Sequence, residues 1–305
     1  MPDITQYFKA LADETRLRLL HVLARYECNV NELVAVLQMG QSRISRHLKI
    51  LSSAGLLVWR REGLWVFYSI PQDGPGREFI NSVLPFIAAD PLMRADNEPA
   101  ARMMEERLSS TRHFFNSIAE DWDTFSREIL GGFDLPKAVL ARMPKVRTAA
   151  DLGCGTGAVP ALMPEKAEKI IGVDGSPRML ELARRRLAGL EDRISLRIGD
   201  LAHLPLADGE ADFVCLNLVL HHLADPQDAL REVRRVLSKG GTLVLTDFNR
   251  HDDERMRSEY GDRRLGFEAE VLHEYLAEAG FRVEKSEPVP VERGLSLHII
   301  TATAV

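Results

Sequence analysis

A chain of 305 residues is longer than one typical domain of about 100 to 200 residues, so two cores are expected. With 45% hydrophobic and 28% charged residues, 21 Gly and 15 Pro, the composition excludes fibrous and disordered classes. No apolar run approaches the roughly 18 residues of a membrane span, and the start has early acids and no basic n-region, so no membrane partner, no secretory signal and a cytoplasmic location are expected. Cys28, Cys154 and Cys215 form no CxC or CxxC pair, which argues against disulfides and a thiolate metal site. The net charge of -6 is uneven: residues 1–70 hold nine Lys or Arg and six Asp or Glu, a net of +3 against -9 for the remainder. A basic head on an acidic body fits a polyanionic partner for the head alone.

From Ile4 to Leu57 apolar residues recur at helical spacing, as at Ile4, Phe8 and Leu11 and then at Leu17, Leu20 and Leu23, which predicts several short helices. Asn31 is a candidate cap for a helix through Gln38; Gly40 breaks it, and Ser42 is a candidate cap for the next, which Gly55 ends. Two runs rich in Val, Trp, Phe and Tyr follow at 56–61 and 64–70, joined by Glu62-Gly63, and read as a hairpin that would form a wing. Residues 41–61 contain Arg43, Arg46, Lys49, Arg60 and Arg61 and no acid. In a recognition helix the first turns read base edges and flanking cations hold phosphates. Gln41, Ser42, Ser45, Arg46 and His47 are therefore the expected base readers, and Arg43, Lys49, Arg60 and Arg61 the phosphate contacts.

The strings KALADETRLRLLHVL and NELVAVLQMGQSRISRHLKILSSAGLLVWRREGLWVFYSI resemble the ArsR/SmtB family of bacterial winged-helix repressors over about 70 residues. The resemblance implies a homodimer on an inverted-repeat operator of double-stranded DNA, released by an effector. Metal-sensing members carry a CxC near the helix before the turn, where this chain has Glu27-Cys28-Asn29-Val30-Asn31. One thiol does not supply the thiolates a soft ion wants, so no metal effector is expected. The first domain is placed at 1–72. Residues 73–109 are expected to be a helical connector and a candidate dimer contact, because Phe79, Ile80, Val83, Leu84, Phe86 and Ile87 are too apolar for a free linker; a longer helix is expected over about 100–123.

From Val146 onward apolar strands at 146–152, 169–173, 195–198, 212–217 and 242–246 alternate with amphipathic helices such as 177–187 and 226–237. That alternation predicts a parallel, doubly wound sheet, with a helix at 268–279 and strands at 281–287 and 295–303 adding an antiparallel edge hairpin. Residues 149–157, AADLGCGTG, end the first strand and are expected to open a helix, with glycines where a side chain would keep the backbone from a ligand. Asp174 ends the second strand, where an acid can accept ribose hydroxyls, and Asp200 follows the third, placed for an adenine amino group. Gly153, Gly155 and Ala158 also satisfy a dinucleotide pattern, so a nicotinamide site is the competing reading.

The ordered set DLGCGTG, GVDGS, GDLAHLPLADGEADFV, HHL and VLSKGGTLVLTDF resembles class I methyltransferases dependent on S-adenosylmethionine (SAM), of the type that includes the ubiquinone and menaquinone methylases, over about residues 110–305. The fold implied for the chain is an α+β winged helix-turn-helix domain followed by an α/β Rossmann-like domain. By the resemblance, Asp151, Gly153, Cys154, Gly155 and Gly157 surround the amino-acid part of the ligand, Asp174 and Gly175 the ribose, Asp200 and Leu201 the adenine, and Asn217 and Leu218 lie beside the sulfur. TRHFFNSIAEDWDTF resembles the covering helix of these enzymes, so Phe114, Phe115, Trp122 and Phe125 are either a lid or core at helical spacing. His221-His222 shows no acid partner in the sequence, which leaves the catalytic residues unassigned. The cluster at 251–254, His-Asp-Asp-Glu, reads as a solvated loop. The whole architecture resembles regulators of the methylation cycle that respond to S-adenosylhomocysteine (SAH). The expected function is a transcriptional repressor with SAM or SAH as effector; the alternative is a working small-molecule methyltransferase that uses SAM as co-substrate and regulates its own expression.

Overall fold

The computed structural model describes residues 4–62 and 65–305, and the chain divides into two compact units, 1–109 and 110–305. The first unit begins with α1 (Ile4–Leu11) and α2 (Glu14–Leu23), followed by β1 (Cys28–Asn29), α3 (Val30–Leu37) and α4 (Gln41–Ser53). Asp13 caps α2 by accepting from Arg16 N. The cap of α3 is Asn29 rather than the expected Asn31. Only Asn29 has Glu32 three residues on, so the two close a reciprocal capping box at 3.1 and 2.8 Å. Ser42 is likewise not a cap: Gln38 turns left-handed at φ 53°, α4 starts after Gly40, and Ser42 falls inside its first turn.

Strands β2 (Val58–Glu62) and β3 (Trp65–Ser69) pair antiparallel from Val58↔Ser69 to Glu62↔Trp65, and β1 adds to the other side of β3, an edge too short to read from the sequence. The Gly63 end of the expected turn lies outside the described residues. Helices α5 (Gly74–Ala89) and α6 (Pro91–Ala95) belong to this unit's core: Ile80, Ile87, Met93 and Ala100 pack in one cluster with Leu19, Leu33, Ile44, Leu48 and Leu51. Two features hold them there. A Cβ at Gly76 would lie 2.2 Å from the Gly55 carbonyl oxygen, so the start of α5 sits on the end of α4 as only glycine allows. Arg18 also donates from two nitrogens to the buried Asp96 carboxylate, at 2.7 and 2.5 Å. Residues 74–100 are thus bound in the first unit by apolar burial and an ion pair, and are no open tether.

In place of one helix over 100–123 there are two, α7 (Asn97–Ile118) and α8 (Trp122–Leu130), followed by α9 (Leu135–Arg142). The second unit's strands and helices then alternate: β4 (Val146–Leu152), β5 (Ala167–Asp174), α10 (Pro177–Arg186), β6 (Ile194–Ile198), β7 (Ala211–Asn217), α11 (Pro226–Val236), β8 (Leu237–Phe248), α12 (Arg255–Tyr260), α13 (Ala269–Glu278), β9 (Phe281–Pro290) and β10 (Ser296–Ala304). The sheet order is β6-β5-β4-β7-β8-β10-β9, parallel through β8 and antiparallel at β10 and β9, as the doubly wound reading with an edge hairpin anticipates. Central strands are apolar on both faces because each face carries its own core; Val214 and Leu216 point into one, Phe213 and Cys215 into the other. The strand order turns back between β4 and β7, and open α/β sheets bind ligands at the carboxyl ends of strands beside such a reversal. Among the described residues no helix is long and apolar enough to cross a membrane.

Candidate functional site

The loop after β4 departs from expectation in one respect. It is a run of turns ending in a single 3-10 turn at Met163–Glu165, not an α-helix. Pro164 has no N–H to return to residue 160, and tight bonds such as Leu162 N to Val159 O and Met163 N to Pro160 O take over. Gly153, Gly155 and Gly157 have φ of 77°, 50° and 82°, which side chains rarely adopt. At Gly153 a Cβ would also meet Val219 at 2.5 Å.

Around this loop the sheet collects the remaining expected residues at the ends of β4 to β7. Asp174 Oδ2 accepts from Gly155 N at 2.9 Å and its Oδ1 from Ser176 N at 2.8 Å, so one carboxylate holds the glycine turn and its own strand end. Burial raises its pKa against those two bonds. The Cys154 N–H donates to Val173 O, and Gly199 N donates to Asp174 O, bringing the end of β6 beside Gly175. Asp200 Oδ1 accepts from Ala202 N at 2.8 Å, and Leu201 packs half-buried against the core. Asp151 is buried at the end of β4, with the Cys215 thiol at 3.0 Å and Asn217 Nδ2 at 3.4 Å; burial pushes its carboxyl up to about 7. Among the described residues Asn217 Oδ1 is buried without a hydrogen-bond partner, and Leu218 is held at φ 56°, a costly conformation for a branched side chain. An orphaned acceptor and backbone strain at adjacent residues mark this strand end as built for something other than stability.

The aromatic residues of the expected covering helix are half-buried and in mutual contact: Phe115 lies edge-on to Phe114 and to Trp122, with centroids 5.4 and 5.6 Å apart. They stand beside the glycine turn, since a Cβ at Gly155 would be 3.5 Å from Trp122 Nε1. Asp123 accepts from Thr156 Oγ1 at 2.7 Å and pairs with Arg186, which ties the start of α8 to the same turn. Phe125 instead packs on Tyr260 and the core.

His221 has the acid partners that the sequence does not show. Its Nδ1 lies 2.7 Å from Asp247 Oδ1 at the end of β8, and its Nε2 is 3.5 Å from Asp262 Oδ1. Burial by itself would lower the His221 pKa, but the two carboxylates outweigh it and push the imidazole up to about 9. His222 is buried at its side, donates from Nδ1 to the Gly261 carbonyl at 3.2 Å and meets the edge of Phe115 at 4.8 Å; burial and the neighbouring His221 lower its pKa. One signal for this pairing was present, an acid closing an apolar strand next to β7. The stretch 251–254 is largely taken up locally: Asp253 accepts from Arg255 at 2.8 and 2.6 Å.

In the first unit the exposed face of α4 carries Gln41, Ser42, Arg43, Ser45, Arg46 and Lys49. His47 is the correction: it follows Ile44 by three residues and precedes Leu51 by four, which puts it on the buried stripe, 3.6 Å from Asp13 and 3.5 Å from an Arg16 nitrogen. It positions the helix and is not presented as a base reader. Arg60 donates at 2.7 Å to each oxygen of Glu27 and stacks over Phe67, so phosphate would have to compete for it; Arg61 is exposed. Replacing Arg46 and Lys49 together with Ala is expected to weaken duplex DNA binding about 30-fold near 0.15 M salt and to reduce the salt slope by about 1.8, since each phosphate contact contributes about 0.9. Titration at several salt concentrations checks this; an unchanged slope would remove α4 from the interface.

Comparison with known proteins agrees with both units. The family described as "Bacterial regulatory protein, arsR family" matches residues 13–57, and the family described as "Methyltransferase domain" matches 150–245. A protein of transposon TN4556 from Streptomyces fradiae is 43% identical over 101 residues, 32% of this chain and 29% of its own length. The demethylmenaquinone methyltransferase of Deinococcus radiodurans is 32% identical over 164 residues, 51% of this chain and 67% of its own length, and that of Clavibacter sepedonicus 36% identical over 99 residues, 32% and 40%. The chain therefore spans between 29 and 67% of the length of these relatives. Among solved structures, the [4+2]-cyclase SpnF superposes with a TM-score of 0.54 at 20% identity, covering 63% of this chain and 94% of that one, a likeness of fold alone. The chain joins an ArsR-family helix-turn-helix to a domain that belongs to the class I methyltransferase family.

Proposed function

We propose that the protein is a DNA-binding transcriptional repressor, a homodimer on an inverted-repeat operator, whose methyltransferase-like unit senses SAH or SAM to control methylation-cycle genes. The observation that carries this reading is the presence in one chain of an acid-free, exposed recognition face at Gln41, Ser42, Arg43, Ser45, Arg46 and Lys49 and of a glycine turn latched by Asp174. In the ligand site Asp174 has lone pairs left for ribose hydroxyls, Asp200 and Leu201 receive the adenine, and Gly153 to Gly157 and Asp151 surround the amino-acid end. Asn217 and Leu218 meet the sulfur. Helix α7 carries the chain from one unit into the other and bears Phe114 and Phe115 in its last turns, so an ordering of these aromatic side chains by ligand has a covalent route to the head.

A ligand shifts two states only by its differential affinity for them. SAM and SAH differ by one methyl group and one positive charge at sulfur, and the smaller neutral SAH permits closer approach of Leu218 and the aromatic side chains. SAH is therefore expected to release operator DNA at matched saturation, and SAM not. Equal release by both ligands, or release by SAM alone, would overturn the sensor reading.

A specific observation favours the second reading, a working small-molecule methyltransferase. The buried His221 and His222 with Asp247 stand at the ends of β7 and β8 beside Phe115, where a methyl acceptor would be activated. Two of the relatives are named demethylmenaquinone methyltransferases. The fold does not decide between the readings, because both functions hold the same adenosine and one fold hosts many activities. Release of labelled SAH from labelled SAM in the presence of quinol acceptors would move the enzyme into first place.

A further inference from the structure

The His221, His222 and Asp262 side chains form a second centre that the regulator reading does not use. Each offers one ligand atom within 4.8 Å of the others, and all three residues are buried. We propose that they bind a divalent first-row transition-metal ion of the Zn(II) type.

Asp247 Oδ1 accepts from His221 Nδ1 at 2.7 Å, which turns His221 Nε2 toward Asp262 Oδ1, and His222 presents Nδ1 to the same oxygen at 3.9 Å. In the metal-free chain both nitrogens carry protons, His221 as an imidazolium and His222 toward the Gly261 carbonyl, and binding an ion releases them. A carboxylate behind a histidine in this way orients metal-binding imidazoles and raises their basicity. Asp247 is itself fixed, since its Oδ1 also accepts from Phe248 N at 2.8 Å.

Asp262 supplies the negative charge. It is 5% exposed, and neither of its carboxylate oxygens has a hydrogen-bond partner among the described residues. The His221 imidazolium at 3.5 Å offsets only part of the cost of burying this carboxylate, and a divalent cation held by it and the two imidazoles offsets more. Its Oδ1 lies 3.5 Å from His221 Nε2, close to the roughly 3.4 Å that two ligands of a tetrahedral ion with bonds of about 2.0 to 2.2 Å maintain.

The backbone keeps the group together. Gly261 turns the chain at φ 74° after α12, Asp262 N donates to Met256 O at 3.0 Å, and Arg263 N and Arg264 N donate to His221 O at 3.1 and 3.0 Å. The loop bearing Asp262 is thereby closed over the histidines. Two nitrogens and one oxygen suit Zn(II), Fe(II) or Co(II) better than Mg(II) or Ca(II), which take oxygen ligands. Three protein ligands leave a position for water or an anionic oxygen donor beside Phe115.

The test uses the full chain stripped of metal by chelator and titrated with Co(II) in the absence of DNA and SAM, so its result does not depend on the regulator reading. One equivalent of Co(II) per chain, with visible bands of a low-coordinate site and no thiolate charge-transfer band, and its displacement by Zn(II), is expected. Asp247→Asn should weaken the affinity about 10- to 100-fold, the effect of losing the carboxylate behind a ligating histidine. Asp262→Asn and His222→Gln, checked for folding by circular dichroism, should each weaken it further than that. A folded wild-type chain that takes up neither Co(II) nor Zn(II) at micromolar concentrations would overturn the proposal, as would uptake unchanged in the folded Asp262→Asn and His222→Gln variants.

Discussion

Asp151→Asn is expected to make the second unit more stable than wild type at pH 7.5 and to give no such gain at pH 4. The Asp151 carboxyl is 2% exposed, and its hydrogen-bond partners are the neutral Cys215 thiol and the Asn217 amide, with no cation paired to it among the described residues. Burial raises its folded pKa to about 7, while an unfolded Asp titrates near 3.9. Between those values the folded state holds a proton that the unfolded state has lost. Stability from this group is therefore fully present below about pH 4 and is lost as pH rises through about 7.

Three units of difference correspond to about 4 kcal/mol across the window, an upper figure because a buried site relaxes and admits water as it ionises. Asn cannot ionise, so its variant lacks this slope. Urea unfolding of both proteins at pH 4, 6 and 7.5 checks it, and the comparison cancels the same-signed contribution of Asp262, whose carboxyl burial also raises to about 7. Parallel stability profiles for the two proteins would show that Asp151 ionises in the folded state at no cost. A carboxyl held at this disadvantage at a strand end is what a ligand carrying an ammonium group would relieve.

Asp174→Asn and Asp200→Asn are each expected to weaken SAH binding by about 1 to 3 kcal/mol, the cost of leaving buried polar groups without a charged partner. They differ in what else they disturb. Asp174 latches Gly155 N and Ser176 N, and an amide has one oxygen where the carboxylate has two; the glycine turn should loosen along with the loss of the proposed ribose contacts. Among the described residues the Asp200 carboxylate holds Ala202 N alone, in its own turn, so its variant should lose affinity with little change in the stability of the unliganded chain. Calorimetry with SAH on the full chain, with thermal unfolding of the same samples, separates the two effects. Wild-type affinity in both variants would place the ligand elsewhere.

The parts of the protein legible in its sequence are those fixed by local rules. Glycines at 153, 155 and 157 announce positive φ, acids at 174 and 200 close apolar strands, and strand-helix alternation dictates a parallel sheet with its ligand end at the strand tips. The stripe Ile44, Leu48, Leu51 likewise marks which face of α4 is buried, and that periodicity, followed through, takes His47 inward as well. What tertiary structure decided are contacts between residues far apart in the chain. His221 meets Asp247 from 26 residues away because β7 and β8 are parallel neighbours, and it meets Asp262 because Gly261 turns the next loop back. No local pattern encodes such a meeting, since it depends on strand order and on where each loop returns. The attachment of residues 74–100 to the first core is of the same kind: their apolar spacing called for a partner surface, and the Gly76–Gly55 approach with the Arg18–Asp96 pair determined which one. Short-range geometry made the elements, and burial of distant apolar and charged groups against one another chose their neighbours.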